Sequence, residues 1–237
     1  MGYLRLPMTM VLQAGLVSAM RIKITPCDAE SIRRVGEVVR KGGVIIFPTD
    51  TVYGIGGDPF NAAVVRRIFE MKMREEKPMP VLVSGLEDAR RLVDVDRLTL
   101  ALMERFWPGA LTVVSRVKEG LPLQLTANSG KLGVRMPQHE LALKIIEASG
   151  GALIGTSANV SGAQPAKTVG ELDPRLVRGA DVIVEGGDST LGVSSTVVEV
   201  TLKRAGPEVR ILREGAIRTE VIRESLLKAG MRGVRLA

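Results

Sequence analysis

The apolar positions of this 237-residue chain follow two periods in turn, and the switches between them mark its elements. From Met20 the run MRIKITP alternates apolar and polar residues as a half-buried strand does. After Cys27, residues Ile32, Val35, Val38 and Val39 recur on one helical face, so a helix capped by Asp28 or Ser31 is expected to run to about Arg40 and stop at Gly42-Gly43. Val44 to Phe47 has the length and branching of a buried strand, and Pro48 ends it because proline has no N–H for the next ladder bond. Asn61 then caps a helix to about Met71 whose inner face is Val64, Val65, Ile68 and Phe69.

The same interleaving continues to the end of the chain. Met79 to Val83 reads as a strand, Leu86 to Val93 and Leu98 to Phe106 as helices, and Trp107-Pro108-Gly109 as the break before a strand from Leu111 to Val117. Leu121 to Lys131 lacks periodicity and reads as a loop with freedom to move. Leu132 to Met136 is a short strand, Glu140 to Ala148 a helix, and Leu153 to Thr156 a second buried strand that ends in Ser157-Ala158-Asn159. Strands at Val182 to Val184, Ser195 to Val200 and Val209 to Leu212 follow, with a polar turn at Lys203 to Pro207 and a last helix from Thr219 to about Lys228. Strands interleaved with helices predict α/β layers, and the hairpin spacing of the late strands favours a mixed sheet over an all-parallel one. Residues 1–19 hold an apolar stretch from Met8 that is too short and too mixed to span a bilayer. They read as an N-terminal extension ahead of a functional domain over 20–222 and a C-terminal helix and tail over 223–237.

Composition narrows the chemistry. With 45% apolar residues the chain can bury a sizeable core. Its single cysteine, Cys27, rules out an internal disulfide framework and a structural zinc cluster, and points to a reducing compartment such as the cytoplasm. The single histidine, His139, sits at a helix start just after Pro137 and reads as an exposed side chain rather than as a metal ligand or triad base. Lysine and arginine number 33 against 26 acidic residues, and the formal charge of +7 favours an anionic partner: nucleic acid, a nucleotide or a membrane surface. Aromatic residues make up only 3%, too few to supply the stacking platforms of single-strand binders. A catalyst with this inventory works through hydroxyls, amides, backbone and cations.

Those groups gather in four separated segments at strand or helix ends: Thr49 to Tyr53, Lys72 to Lys77, Ser157 to Asn159, and Ser194 to Thr196. Neither GxxxxGK[ST] nor a GxGxxG opening a helix is present, which disfavours the two commonest phosphate loops. The first segment arrives where a strand exits, the place at which open α/β sheets hold ligands, although a polar turn after a core strand fits this segment alone equally well.

Taken in order, PTDTVYGIGGD at 48–58, KMR at 72–74 followed by KPMPVLV at 77–83, FWPGALTVV at 106–114, LGVRMP at 132–137, GTSANVSG at 155–162, SSTVVEV at 194–200 and ILREGA at 211–216 make the chain resemble the YrdC/Sua5 family of L-threonylcarbamoyladenylate synthases in its single-domain form. The resemblance implies a twisted mixed α/β sheet with flanking helices around a large basic cavity. There, ATP, L-threonine and bicarbonate would give threonylcarbamoyl-AMP and pyrophosphate. The product would serve the N6-threonylcarbamoyladenosine modification of tRNA through a downstream threonylcarbamoyl transferase complex. Magnesium is implied as the counter-ion of ATP rather than as a protein-caged metal. A membrane partner is not expected.

By the same matching, Lys72 and Arg74 are the implied catalytic cations, and with Lys77, Asn159 and Arg213 the implied ATP contacts. Thr51, Tyr53, Arg135, Ser157 and Ser195 are the implied L-threonine contacts. Thr112 either reaches the cavity or faces solvent from its strand. The chain departs from the family pattern twice: EEK alone separates Arg74 from Pro78, one residue fewer than usual, and Val81-Leu82-Val83 lacks a histidine that some members carry there. The same fold family includes proteins described as RNA binders, so a protein reading double-stranded RNA or tRNA by shape and phosphate is the alternative from a different class.

Overall fold

A computed structural model describes residues 19–73, 77–203 (the backbone alone at Lys203), 206–231 and 233–237. The expected N-terminal extension, Ala19 apart, and the expected phosphate cation Arg74 lie outside the described residues. The chain opens with β1 (Met20–Lys23), and α1 (Ala29–Arg40) follows with Asp28 as its cap, the carboxylate accepting from Ser31 N at 3.0 Å. β2 (Ile45–Phe47) and β3 (Gly54–Gly56) pair antiparallel, and Asn61 caps α2 (Ala62–Met71) by accepting from Ala63 N and Val64 N. β4 (Val81–Val83), α3 (Leu86–Leu92), α4 (Arg97–Phe106), β5 (Leu111–Arg116), β6 (Lys131–Arg135), α5 (Glu140–Ala148), β7 (Ala152–Ile154) and β8 (Thr156–Ser157) form the middle of the chain. After α6 (Pro174–Gly179) and β9 (Val182–Glu185) come the hairpin of β10 (Thr196–Lys203) and β11 (Gly206–Arg213), then α7 (Thr219–Lys228) and β12 (Arg235–Leu236).

Among the described residues the strands form two mixed sheets, ordered β1-β9-β2-β3-β8 and β12-β11-β10-β5-β6-β4-β7. The mixed α/β architecture read from the sequence is therefore found, distributed over two sheets. Against the first, Ile32, Val35 and Val39 of α1 and Ile145 and Ile146 of α5 pack with Ile45, Phe47 and Val182 in the smaller of two cores. The two helices approach so closely that a Cβ at Gly36 would lie 2.5 Å from the Ala148 carbonyl oxygen, which explains a glycine that costs a helix interior about 1 kcal/mol.

The second sheet turns Leu111, Val113, Leu132, Val134, Val198 and Val209 into the larger core. Because strand side chains alternate, Thr112, Lys131, Arg135, Glu199 and Arg210 emerge on its other face. That second face is where the chemistry lies.

Four segments differ from the sequence pattern. Leu153 to Thr156 is not one strand: β7 belongs to one sheet and β8 to the other, and the chain crosses at Gly155, whose N–H donates to Pro80 O at 2.9 Å. Gly54-Ile55-Gly56, to which the sequence pattern assigns no element, is the buried strand β3. Glycine's poor β-propensity concealed it, yet a Cβ at Gly56 would sit 1.9 Å from the Ile154 oxygen, so the close approach of β7 requires glycine there. Leu121 to Lys131 is not a free loop. Leu123–Thr126 forms a 3-10 turn, Leu125 is buried in the larger core, and Met79 N donates to the Leu125 oxygen at 3.0 Å. His139 is half-buried, not exposed: its Nδ1 caps α5 by accepting from Ala142 N at 3.2 Å. Burial lowers its pKa, with Asp50 and Glu140 opposing.

Candidate active site

A cavity of about 410 Å³ lies between the two sheets, within the size range of small-molecule sites. Its floor is the outer face of β6, β5, β10 and β11; its opposite wall is the turn from Thr49 to Gly54 and the crossing from Gly155 to Ser157. The turn is built locally. Thr49 Oγ1 donates to Val52 O at 2.7 Å and accepts from Thr51 N and Val52 N at 3.2 and 3.3 Å, so one hydroxyl closes the bend and presents Thr51 to the cavity.

Arg135 stands opposite Thr51 at the end of β6 and is 5% exposed. Its Nε donates to Gly109 O at 2.9 Å, its Nη1 to Thr51 Oγ1 at 2.9 Å and its Nη2 to the Asp50 carboxylate. Burial lowers the pKa of this guanidinium and Asp50 opposes the shift, so the ion pair offsets much of the cost of placing the charge there. Tyr53 lines the same end, but its hydroxyl is engaged, donating to Gly187 O at 2.6 Å. Burial, then the charges of Asp188 and Glu185, raise the phenol to about 12, so it stays neutral and offers no base near pH 7.

Ser157 pairs with Gly54 in β8 and faces the cavity. Ser195, just before β10, exchanges a hydrogen bond with Thr112 at 2.8 Å, and Arg213 donates to the Ser195 oxygen at 2.8 Å. Thr112 is therefore a buried cavity hydroxyl, not a solvent-facing one. Farther along the floor Glu199 accepts from Lys131 and from Arg210, whose Nε is at 3.1 Å. Burial resists ionisation of Glu199, but the hydrogen bonds from Lys131 and Arg210 outweigh it and hold the carboxyl below the usual glutamate value.

Thr51, Tyr53, Arg135, Ser157, Ser195 and Arg213 thus share one cavity, although they come from segments far apart in the chain. Lys72, Lys77 and Asn159 are not on its wall. Lys72 is 1% exposed, and its ammonium donates to the main-chain oxygens of Ser157 and Asn159, the latter at 2.8 Å. Its own oxygen accepts from Ser161 N at 3.0 Å, so both halves of this residue hold the 157–161 strap. Asn159 spends its amide N–H groups on Val160 O and Ala163 O, at 3.0 and 2.7 Å. Lys77 is exposed beside Pro78, which is on the wall. Lys131, Glu199 and Arg210 were missed from sequence. Strand alternation places Gly133 and Lys131 on the same face as Arg135, and the hairpin register sets Arg210 opposite Glu199.

Fold and site together define an α/β protein with a polar, cation-bearing cavity of small-molecule size between two mixed sheets. Residues 37–215 match the Sua5/YciO/YrdC family model, described under telomere recombination, and the chain belongs to that family. A threonylcarbamoyl-AMP synthase of Pyrococcus abyssi is 35% identical over 193 residues, covering 81% of this chain and 56% of the relative. One from Bacillus subtilis is 36% identical over 199 residues, covering 81% and 55%. The chain therefore spans a little over half the length of these relatives. The crystal structure of P. abyssi Sua5 complexed with L-threonine superposes with a TM-score of 0.82 at 30% identity, covering 92% of this chain and 63% of that one.

Proposed function

We propose that the protein is a threonylcarbamoyl-AMP synthase acting on ATP, L-threonine and bicarbonate. The observation that carries this reading is the convergence of Thr51, Arg135, Ser157, Ser195 and Arg213 on one cavity, in a chain 35% identical to a synthase of that name. In the first step the threonine amine displaces water from bicarbonate to give a carbamate. A carbamate oxygen then attacks the α-phosphorus of ATP, and pyrophosphate leaves with the electron pair of the broken P–O bond. Neither step needs a protein nucleophile; the first needs the amine and bicarbonate held together, and the second needs attacking and leaving oxygens in line with cations along the phosphates.

Arg135, with Thr51 beside it, suits the carboxylate of the amino acid, because a guanidinium offers paired N–H groups to two oxygens. Ser157 and Ser195 supply hydroxyls between the two substrates, and Tyr53 supplies a neutral ring wall. Arg213 is assigned to the nucleotide side. Arg74 and Lys77, following α2, are assigned to the triphosphate, with Lys72 and Asn159 shaping the strap that receives it. Magnesium enters as part of MgATP, as the counter-ion of the triphosphate. Among the described residues no helix is long and apolar enough to cross a membrane. The product is a labile mixed anhydride, so a transferase acting on tRNA adenosine is the class of enzyme that consumes it.

Purified protein supplied with MgATP, bicarbonate and L-threonine should release pyrophosphate, and omission of L-threonine should abolish the release. Tight, steeply salt-dependent binding of duplex RNA without that release would overturn the reading and favour an RNA binder.

A further inference from the structure

Asp50 does not line the cavity, yet it is 5% exposed and its carboxylate meets the most buried cation in the site. Oδ1 accepts from Arg135, while Oδ2 is buried with no hydrogen-bond partner among the described residues. Half of this carboxylate is therefore given over to one guanidinium and the other half to nothing else described. Its main chain serves a different purpose, because the Asp50 oxygen accepts from Leu191 N at 2.9 Å and Thr190 Oγ1 at 3.2 Å, bonds that any side chain at this position preserves.

An arginine carries five N–H groups in a fixed plane. Gly109, Thr51 and Asp50 take three of them, on Nε, Nη1 and Nη2 respectively, which leaves one each on Nη1 and Nη2. Three fixed bonds to a planar group remove its freedom to rotate, so each remaining N–H is held in a set direction, on a side chain that lines the cavity. Of the three tethers only Asp50 is charged, and a buried guanidinium without it would be an uncompensated ion that turns toward any available oxygen or toward water.

We propose that Asp50 is a positioning residue for the amino-acid substrate. Acting through Arg135 from outside the cavity wall, it fixes the guanidinium so that the two remaining N–H groups receive the L-threonine carboxylate without reorganisation. This rests on the synthase reading above. The gain is preorganisation, the ordering of a long side chain before the ligand arrives.

A second effect pulls the other way. Asp50 also offsets the positive charge of Arg135, so removing it makes the guanidinium more attractive to an incoming carboxylate. The two effects predict opposite signs for the same substitution. Asp50→Asn keeps the shape and an acceptor oxygen but removes the charge. If Asp50 positions Arg135, this variant raises KM for L-threonine about tenfold or more while KM for ATP changes less than about twofold, since ATP does not depend on that guanidinium.

The test is steady-state pyrophosphate release by the full chain, varying L-threonine at saturating MgATP and bicarbonate and then ATP at saturating L-threonine. A fall in KM for L-threonine, no change, or equal rises for both substrates would each overturn the positioning role. Should Asp50→Asn not fold, Asp50→Glu keeps the charge but moves it by one methylene, and the same split between substrates is expected of it. If the unaltered protein releases no pyrophosphate with threonine, the synthase reading fails. If it does and both variants keep the normal KM for L-threonine, the role of Asp50 alone fails.

Discussion

The two ends of the cavity hold their cations in different ways. At one end Arg135 and Asp50 are each 6% exposed in their side chains, and every bond they make is to a fixed protein group. At the other, Glu199 is 5% exposed but its partners Lys131 and Arg210 are 41% and 55% exposed. A buried pair is rigid and cannot lose one member cheaply. A pair with one partner in water is soft, because solvent replaces much of what it loses. The first suits a ligand that arrives in one pose, and the second suits one whose charges shift during reaction.

The contrast can be broken most sharply at Arg135. Arg135→Ala leaves Asp50 as an uncompensated buried carboxylate, and chemical denaturation should show a loss of about 3–5 kcal/mol. A loss below about 1 kcal/mol would mean that the pair behaves as a surface pair, and the distinction between the ends would vanish.

Tyr53 tests the same end by pH. Its phenol is held at about 12 against an ordinary 10.0, so the folded state keeps the proton more tightly than the unfolded one. That stabilisation is complete below pH 10.0 and disappears as the pH rises through about 12. Denaturation curves across that window should cost the unaltered protein about 2–3 kcal/mol more than Tyr53→Phe. Identical curves would show that the ring is not desolvated.

The smallest effect belongs to the soft end. Glu199→Gln should cost about 1 kcal/mol or less, and less again at high salt, because Lys131 and Arg210 return to water. The Glu199 carboxyl is held below its ordinary 4.5, so its contribution is present above pH 4.5 and lost as the pH falls through the lower folded value. Acid denaturation of the variant should lack that component. A loss as large as that for Arg135→Ala would make the two ends alike.

What the sequence revealed depended on how local the cause was. Asp28 and Asn61 were legible as caps because a cap bonds to N–H groups two or three residues away. Arg135 was legible through a motif; Lys131 was not, because the stretch without periodicity ahead of Leu132 hides that β6 already begins there. The crossing at Gly155 was not legible, since a run of apolar residues reads the same whether it stays in one sheet or changes to another. Nor was the place of Lys72. A lysine after a helix reads as a solvated cation, and only the return of residues 157–161 past it creates carbonyls for its ammonium to hold. The resemblance implies a phosphate-contacting cation at this position, not an anchor; the physical cause of the anchoring sits more than eighty residues downstream.

β6 keeps oil on one side and charge on the other, with Leu132 and Val134 facing inward and Lys131 and Arg135 facing the hollow. Inserting or deleting one residue within it would exchange the two sides, driving cations into the hydrophobic interior and hydrocarbon into the hollow. The strand can therefore accept a change of side chain of like polarity far more readily than a change of length.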